Sequence, residues 1–120
     1  MGTLAAQGTL TATLTTNHIL SESGSAPQTL IAPSGGGWYF LRVDVVNLAA
    51  GESVQFELET AARPNGTNRV RDRSGSFYGV QSEPIKDSPL VYVHEGEDLI
   101  ARLRQDGGTG RAYEWAVYKA

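Results

Sequence analysis

Apolar and polar residues alternate with a period of two along almost the whole chain, the spacing of strands rather than of helices. In residues 9–16 the run TLTATLTT sets Leu10, Ala12 and Leu14 on one face and Thr9, Thr11, Thr13 and Thr15 on the other. β-Branched threonine suits a pleated surface that meets water or a polar partner. Residues 38–46 alternate more densely, with Tyr39, Leu41, Val43 and Val45 against Trp38, Phe40, Arg42, Asp44 and Val46. Both faces begin apolar and one turns polar, which predicts a central strand covered on two sides over its first half. After a break at residues 47–52, Val54, Phe56 and Leu58 point inward and Gln55, Glu57 and Glu59 outward. A hairpin between these two strands is the expected connection.

Further strands are predicted at residues 90–93, 99–103 and 112–118, with weaker signals at 28–32 and 76–80. About eight short strands, separated by Gly-, Pro- or Asp-bearing turns, predict an all-β chain folded as a β-sandwich of jelly-roll type. No segment has the pattern of a three-turn amphipathic helix, and residues 47–51 have room for one helical turn at most.

Length and composition narrow the function. At 120 residues, with 40% apolar residues, the chain suits one domain over residues 1–120, residues 1–17 forming an N-terminal arm or strand. The net charge of −3 argues against a general nucleic-acid binder, which needs clustered Lys and Arg to displace counterions. The absence of cysteine excludes disulfides, thiolate zinc sites and cysteine nucleophiles. The opening MGTLAAQGTL lacks a basic segment leading into an apolar run, so no secretory signal is expected. No apolar stretch approaches the roughly 18–20 residues that span a bilayer, so no membrane partner is expected either.

Several stretches invite a chemical reading. Gly107-Gly108-Thr109-Gly110-Arg111 has the glycine density of a phosphate loop. A Walker-type loop, however, leads into Lys-Ser/Thr and a helix, whereas Ala112-Tyr113-Glu114-Trp115 alternates like a strand. The glycines are therefore expected to turn the chain, with Arg111 free to pair bidentately with a carboxylate. His18 and His94 each lack a neighbouring His or Cys, and no metal site is predicted from them. Glu95-Gly96-Glu97-Asp98 lacks the ligand spacing of a calcium loop. Gly75-Ser76-Phe77-Tyr78-Gly79 places its serine wrongly for a nucleophile elbow, and Glu57 with Glu59 reads as a solvated face rather than a glycosidase pair. Asn65-Gly66-Thr67 matches a glycosylation acceptor, but Pro64-Asn65-Gly66 forms a turn whatever its modification. No catalytic residue and no cofactor are predicted, and the chain is expected not to be an enzyme.

Two binding cues remain. Alternation sets Arg69, Arg71 and Arg73 on one side, a positive stripe that either pairs with Glu57 and Glu59 of a neighbouring strand or docks on an acidic protein surface. Pairing within the sheet is the reading favoured by the residues alone. The aromatic set Trp38, Tyr39, Phe40, Phe77, Tyr78, Tyr92, Tyr113, Trp115 and Tyr118 exceeds what one small core holds. The surplus suits a protein interface or a sugar platform, or it covers the ends of the sandwich.

Three blocks, FLRVDVVNLAAGESVQFELET, GTNRVRDRSGSFYGVQSEPIKDSP and RQDGGTGRAYEWAVYKA, resemble a group of small proteins of tailed bacteriophages. The Glu-Pro-Ile-Lys run and the terminal Gln-x-x-Gly-Thr-Gly-Arg-Ala-x-x-Trp-x-Val carry the resemblance, which covers roughly two thirds of the chain. It implies a virion structural protein assembled in the host cytoplasm: a capsid decoration or cement protein, or else a tail or neck component. The implied partners are the major capsid protein or other virion proteins, and a dimer or trimer of the chain itself. The contact residues expected are Arg69, Arg71, Arg73, Trp38 and Tyr118, helped by strand addition from residues 3–16. A carbohydrate-binding adhesion module is the alternative.

Overall fold

The computed structural model describes residues 3–20, 30–31, 36–60, 67, 69–94 and 97–120, the side chains of residues 30, 31, 71, 74 and 98 excepted. Ten strands occur among the described residues: β1 (Thr3–Thr11), β2 (His18–Ile19), β3 (Leu30–Ile31), β4 (Gly37–Asp44), β5 (Ser53–Thr60), β6 (Arg69–Tyr78), β7 (Ile85–Asp87), β8 (Val91–Val93), β9 (Asp98–Asp106) and β10 (Ala112–Lys119). The chain is all-β and folds as two antiparallel sheets packed face to face, as the period-two pattern predicts.

The first sheet runs β1-β10-β4, and the far edge of β4 pairs with β8 over its first residues and with β7 over its last. The second sheet runs β9-β5-β6, with the short β2 and β3 on the outer side of β9. Residues 12–17, 45–52, 79–84 and 107–111 each carry the chain from one sheet to the other. Strands consecutive in sequence therefore occupy matching positions in opposite sheets, β1 with β2, β4 with β5, β6 with β7, and β9 with β10.

The core is the meeting of two inner rows. Tyr39, Leu41 and Val43 of β4 and Tyr113, Trp115 and Val117 of β10 face Val54, Phe56 and Leu58 of β5 and Leu99, Ala101 and Leu103 of β9. Each fully buried aliphatic or aromatic side chain in these rows contributes about 1.5–3 kcal/mol.

The structure corrects three sequence expectations. First, β4 and β5 form no hairpin. Both edges of β4 are already paired, and its inner row must oppose that of β5 rather than extend it. Two tight turns, Val45 O to Leu48 N (3.0 Å) and Ala49 O to Glu52 N (3.1 Å), replace the single helical turn, and Val45 and Leu48 bury as the chain crosses. Second, the N-terminal strand ends at Thr11 rather than Thr16, because Thr15 adopts a left-handed conformation (φ 63°) and its amide bonds Gln105 O at 2.9 Å. Third, the weak signal at residues 76–80 is the end of the ten-residue β6, and β7 was not predicted at all. Of the weak signal at residues 28–32, only Leu30–Ile31 lies within the described residues.

Candidate functional site

The outer face of the first sheet is aromatic. Because Tyr39, Leu41 and Val43 point inward, alternation sends Trp38, Phe40 and Arg42 outward, and the β10 register places Tyr118 directly opposite Phe40. The two rings stack at 5.4 Å with an interplanar angle of 23°. The Arg42 guanidinium lies 5.7 Å from the Phe40 ring centre and 5.6 Å from that of Tyr118. Asp87 of β7, opposite Arg42 in the register, holds it through two hydrogen bonds, Nε to Oδ1 at 2.7 Å and Nη2 to Oδ2 at 3.0 Å. That contact raises the pKa of Arg42.

The same face continues along β8. Trp38, opposite Tyr92, meets it edge to face at 5.2 Å, and Tyr92 meets His94 at 4.7 Å. Leu4, opposite Tyr118, is 48% exposed, while Trp38 and Leu90 are each 51% exposed. Beside the aromatics lies an open groove of about 250 Å³ lined by Gln7, Arg42, Asp44, Ile85 and Glu114. Few side chains here have freedom left to lose, since each ring rests on a neighbour and the arginine is fixed through Nε and Nη2. Such a face binds a partner at low ordering cost.

The outer face of the second sheet pairs charges internally, with Val70 and Tyr78 of β6 exposed beside them. Glu57 accepts from Arg73 Nε at 3.1 Å, Glu59 from Arg102 Nε at 2.5 Å, and Asp106 from Arg104 Nε at 3.1 Å. Asn17, Gln55, Glu57, Arg73 and Arg104 line a polar hollow of about 240 Å³.

The predicted arginine stripe is divided. Breaks in the β5–β6 register between Gln55 and Glu57 and between Leu58 and Glu59 interrupt the alternation. Arg73 faces Glu57, whereas Arg69 faces Thr60 and so lies on the other side of the sheet. The Arg71 side chain lies outside the described residues. Arg73 pairs with Glu57 as the residues suggest, but Glu59 takes its partner from β9. Of the five predicted contacts, Trp38 and Tyr118 come together on the aromatic face, and β6 carries the other three on the second sheet.

The glycine-rich loop holds an anion, and the anion is the protein's own. Glu52, whose side chain is 2% exposed, accepts from Arg111 Nη2 at 2.8 Å, Arg111 Nε at 3.0 Å, Ala49 N at 2.9 Å and Thr109 N at 3.1 Å. The Arg111 contact, then the Ala49 amide, lowers the Glu52 pKa from 4.5 to about 2. Gln105, fully buried, braces the loop from inside. Its amide donates to Thr109 O (2.8 Å) and Gly107 O (3.2 Å), and its oxygen accepts from Arg111 N (2.9 Å) and the Tyr113 hydroxyl (2.7 Å). Burial, then the Glu52 charge, pushes the Tyr113 hydroxyl up to about 12. A Cβ on Gly108 would strike the Glu52 carboxylate, and one on Gly110 would strike Ala12 O. The sequence pointed to Arg111 seeking a carboxylate. Neither Glu52 nor Gln105 was singled out, because nothing local in Gly51-Glu52-Ser53 or Arg104-Gln105-Asp106 marks a buried polar group.

The other candidates have structural roles where they are described. His18 Nε2 accepts from Thr13 N at 2.9 Å, and Glu97 Oε1 accepts from His94 N at 2.9 Å. Residues 65, 66, 95 and 96 lie outside the described residues. Comparison with known proteins finds no family model that matches the chain and no curated protein that matches its sequence.

Proposed function

We propose that the chain is a jelly-roll binding module of a phage virion, a capsid decoration or cement protein that docks on the capsid lattice through the outer face of its first sheet. The resemblance of three sequence blocks to tailed-phage proteins suggests the setting. The strand orders β1-β10-β4-β7 and β2-β9-β5-β6, joined by connections that cross between the sheets, support the jelly-roll reading.

One observation carries the docking reading: the outward aromatic face of an exposed Trp38 and the partly buried Phe40, Tyr92 and Tyr118, with Leu4 and Leu90 exposed as well. Aromatic anchors with a polar rim are what protein interfaces use. Glu52 and Arg111 hold each other ionised at the loop, away from this face.

A second reading is favoured by the groove next to those rings. Arg42, Asp44, Gln7 and Glu114 beside aromatic planes are the groups that hold a sugar by stacking and hydroxyl hydrogen bonds, so a glycan is the alternative occupant. Co-sedimentation of the purified protein with shells that lack it separates the two. Saturable retention on shells, lost in the Trp38→Ala/Tyr118→Ala variant, supports decoration. Retention on immobilised glycans with none on shells transfers the function to adhesion.

A further inference from the structure

We propose that the free edge of β1 pairs antiparallel with β1 of a second copy of the chain, about a two-fold axis through Thr9. The inference is independent of what the aromatic face binds. It starts from the contrast between two edge strands. β6, at the edge of the second sheet, carries Arg69, Asp72 and Arg73, two register breaks and a left-handed Gly75 (φ 77°). Charges and bulges of this kind discourage strand addition. β1 has almost none of these devices. From residue 2 to residue 17 there is no Asp, Glu, Lys, Arg or Pro, and its one register break lies between Leu4 and Ala6. Residues 7–11 therefore form a regular, uncharged edge, and among the described residues no strand pairs with its outer side.

The parity of the hydrogen bonds identifies the free groups. Ala12 N donates to Arg111 O, and at the other edge of β10 Ala120 N donates to Trp38 O. Ala6, Gly8, Leu10 and Ala12 thus turn their main-chain groups toward β10, and Gln7, Thr9 and Thr11 turn theirs to the open side. These three match themselves. With the axis at Thr9, Thr9 meets Thr9 and Gln7 meets Thr11 on the outer face, all hydrogen-bonding side chains, while Gly8, covered by the Trp115 ring, stands opposite the copy's Leu10 on the inner face. No like charges meet.

The axis stands perpendicular to the sheet, so the first sheets of the two copies become one. Both aromatic faces then point the same way. A lattice or a glycan surface would be gripped twice, with the gain in avidity that linkage brings.

The test uses the full chain. Light scattering and sedimentation velocity are expected to show the mass rising with concentration from 12.9 kDa toward twice that value. Thr9→Pro removes an outward donor and no bond to β10. It is expected to keep the far-UV spectrum and to weaken dimerisation at least about tenfold. Because the chain has no cysteine, Thr9→Cys reports the register directly. At the axis the two Cα atoms lie about 5.5 Å apart, within disulfide range, so mild oxidation yields a cross-linked dimer. Thr11→Cys places them about 14 Å apart along the strands and leaves a monomer on the gel. A 12.9 kDa mass for the wild type at several hundred micromolar overturns the proposal. So does a Thr9→Pro variant that dimerises like the wild type, or cross-linking of Thr11→Cys as readily as Thr9→Cys.

Discussion

The two sheets share an inner chemistry and differ in their outer one. On the second sheet, Glu57, Glu59 and Asp106 each find an arginine within the same face, beside an exposed Val70 and Tyr78 on its outermost strand. On the first, the one outward ion pair among the described residues, Arg42–Asp87, lies beside a stacked Phe40–Tyr118 pair and an exposed Trp38. Water meets rings there that burial in an interface would stabilise. Counting charges along β4 and β5 does not separate a charge-matched face from an aromatic one. What separates them is whether each outward charge finds its opposite on the same face and what stands between the pairs.

That contrast is open to direct attack. The largest effect is expected from Trp38→Ala with Tyr118→Ala, which together lower partner binding by about a hundredfold or more, measured by co-sedimentation on shells or glycans. Arg73→Ala on the other face changes binding less than about threefold. Equal losses from both faces would erase the distinction.

Next comes the loop that joins β9 to β10 and so holds the two sheets in register. Gly108→Ala forces a Cβ into the Glu52 carboxylate at a left-handed position (φ 65°), and it is expected to cost at least about 2 kcal/mol in urea unfolding. Gly75→Ala, at a left-handed position with open space around it, should cost only about 1–2 kcal/mol. Acid reads the same junction. Glu52 titrates at about 2 in the folded chain against 4.5 as a free side chain. Its contribution is therefore complete above pH 4.5 and is lost as the pH falls from 4.5 toward 2. In Glu52→Gln, acid unfolding monitored by circular dichroism should lose that component of its slope.

Two tyrosines mark opposite ends of the inner faces. Tyr113→Phe deletes the donor to Gln105 and is expected to cost about 1 kcal/mol. The Tyr39 hydroxyl is buried with no partner among the described residues, so Tyr39→Phe should be neutral or slightly stabilising in thermal melts. The smallest effect belongs to the second sheet's surface: Glu57→Gln, which breaks the pair with a largely exposed Arg73, should cost about 0.2–1 kcal/mol and less in high salt.

Much of this was legible in the order of the residues. Period-two alternation set the strand class, the inward rows of β4, β5 and β10, and the outward placement of Trp38 and Tyr118, because a strand's side chains must alternate whatever it pairs with. The aromatic surplus over core capacity was visible as well. Alternation cannot say which strands lie side by side, so the β4–β5 hairpin was expected where a crossing between sheets occurs. Nor can it foresee a bulge, and the arginines of β6 were placed on one side when two register breaks divide them.

Residues 107–111 show the limit most clearly. The run of glycines and the missing helix after them already spoke for a turn, since backbone conformation is a local property. That Glu52 would be the anion held there, 59 positions from Arg111, depended on two crossings between sheets bringing distant loops to one end of the sandwich. Local chemistry is written residue by residue. Which groups meet is decided by the packing of the two apolar rows, since that burial outweighs any preference a single loop expresses.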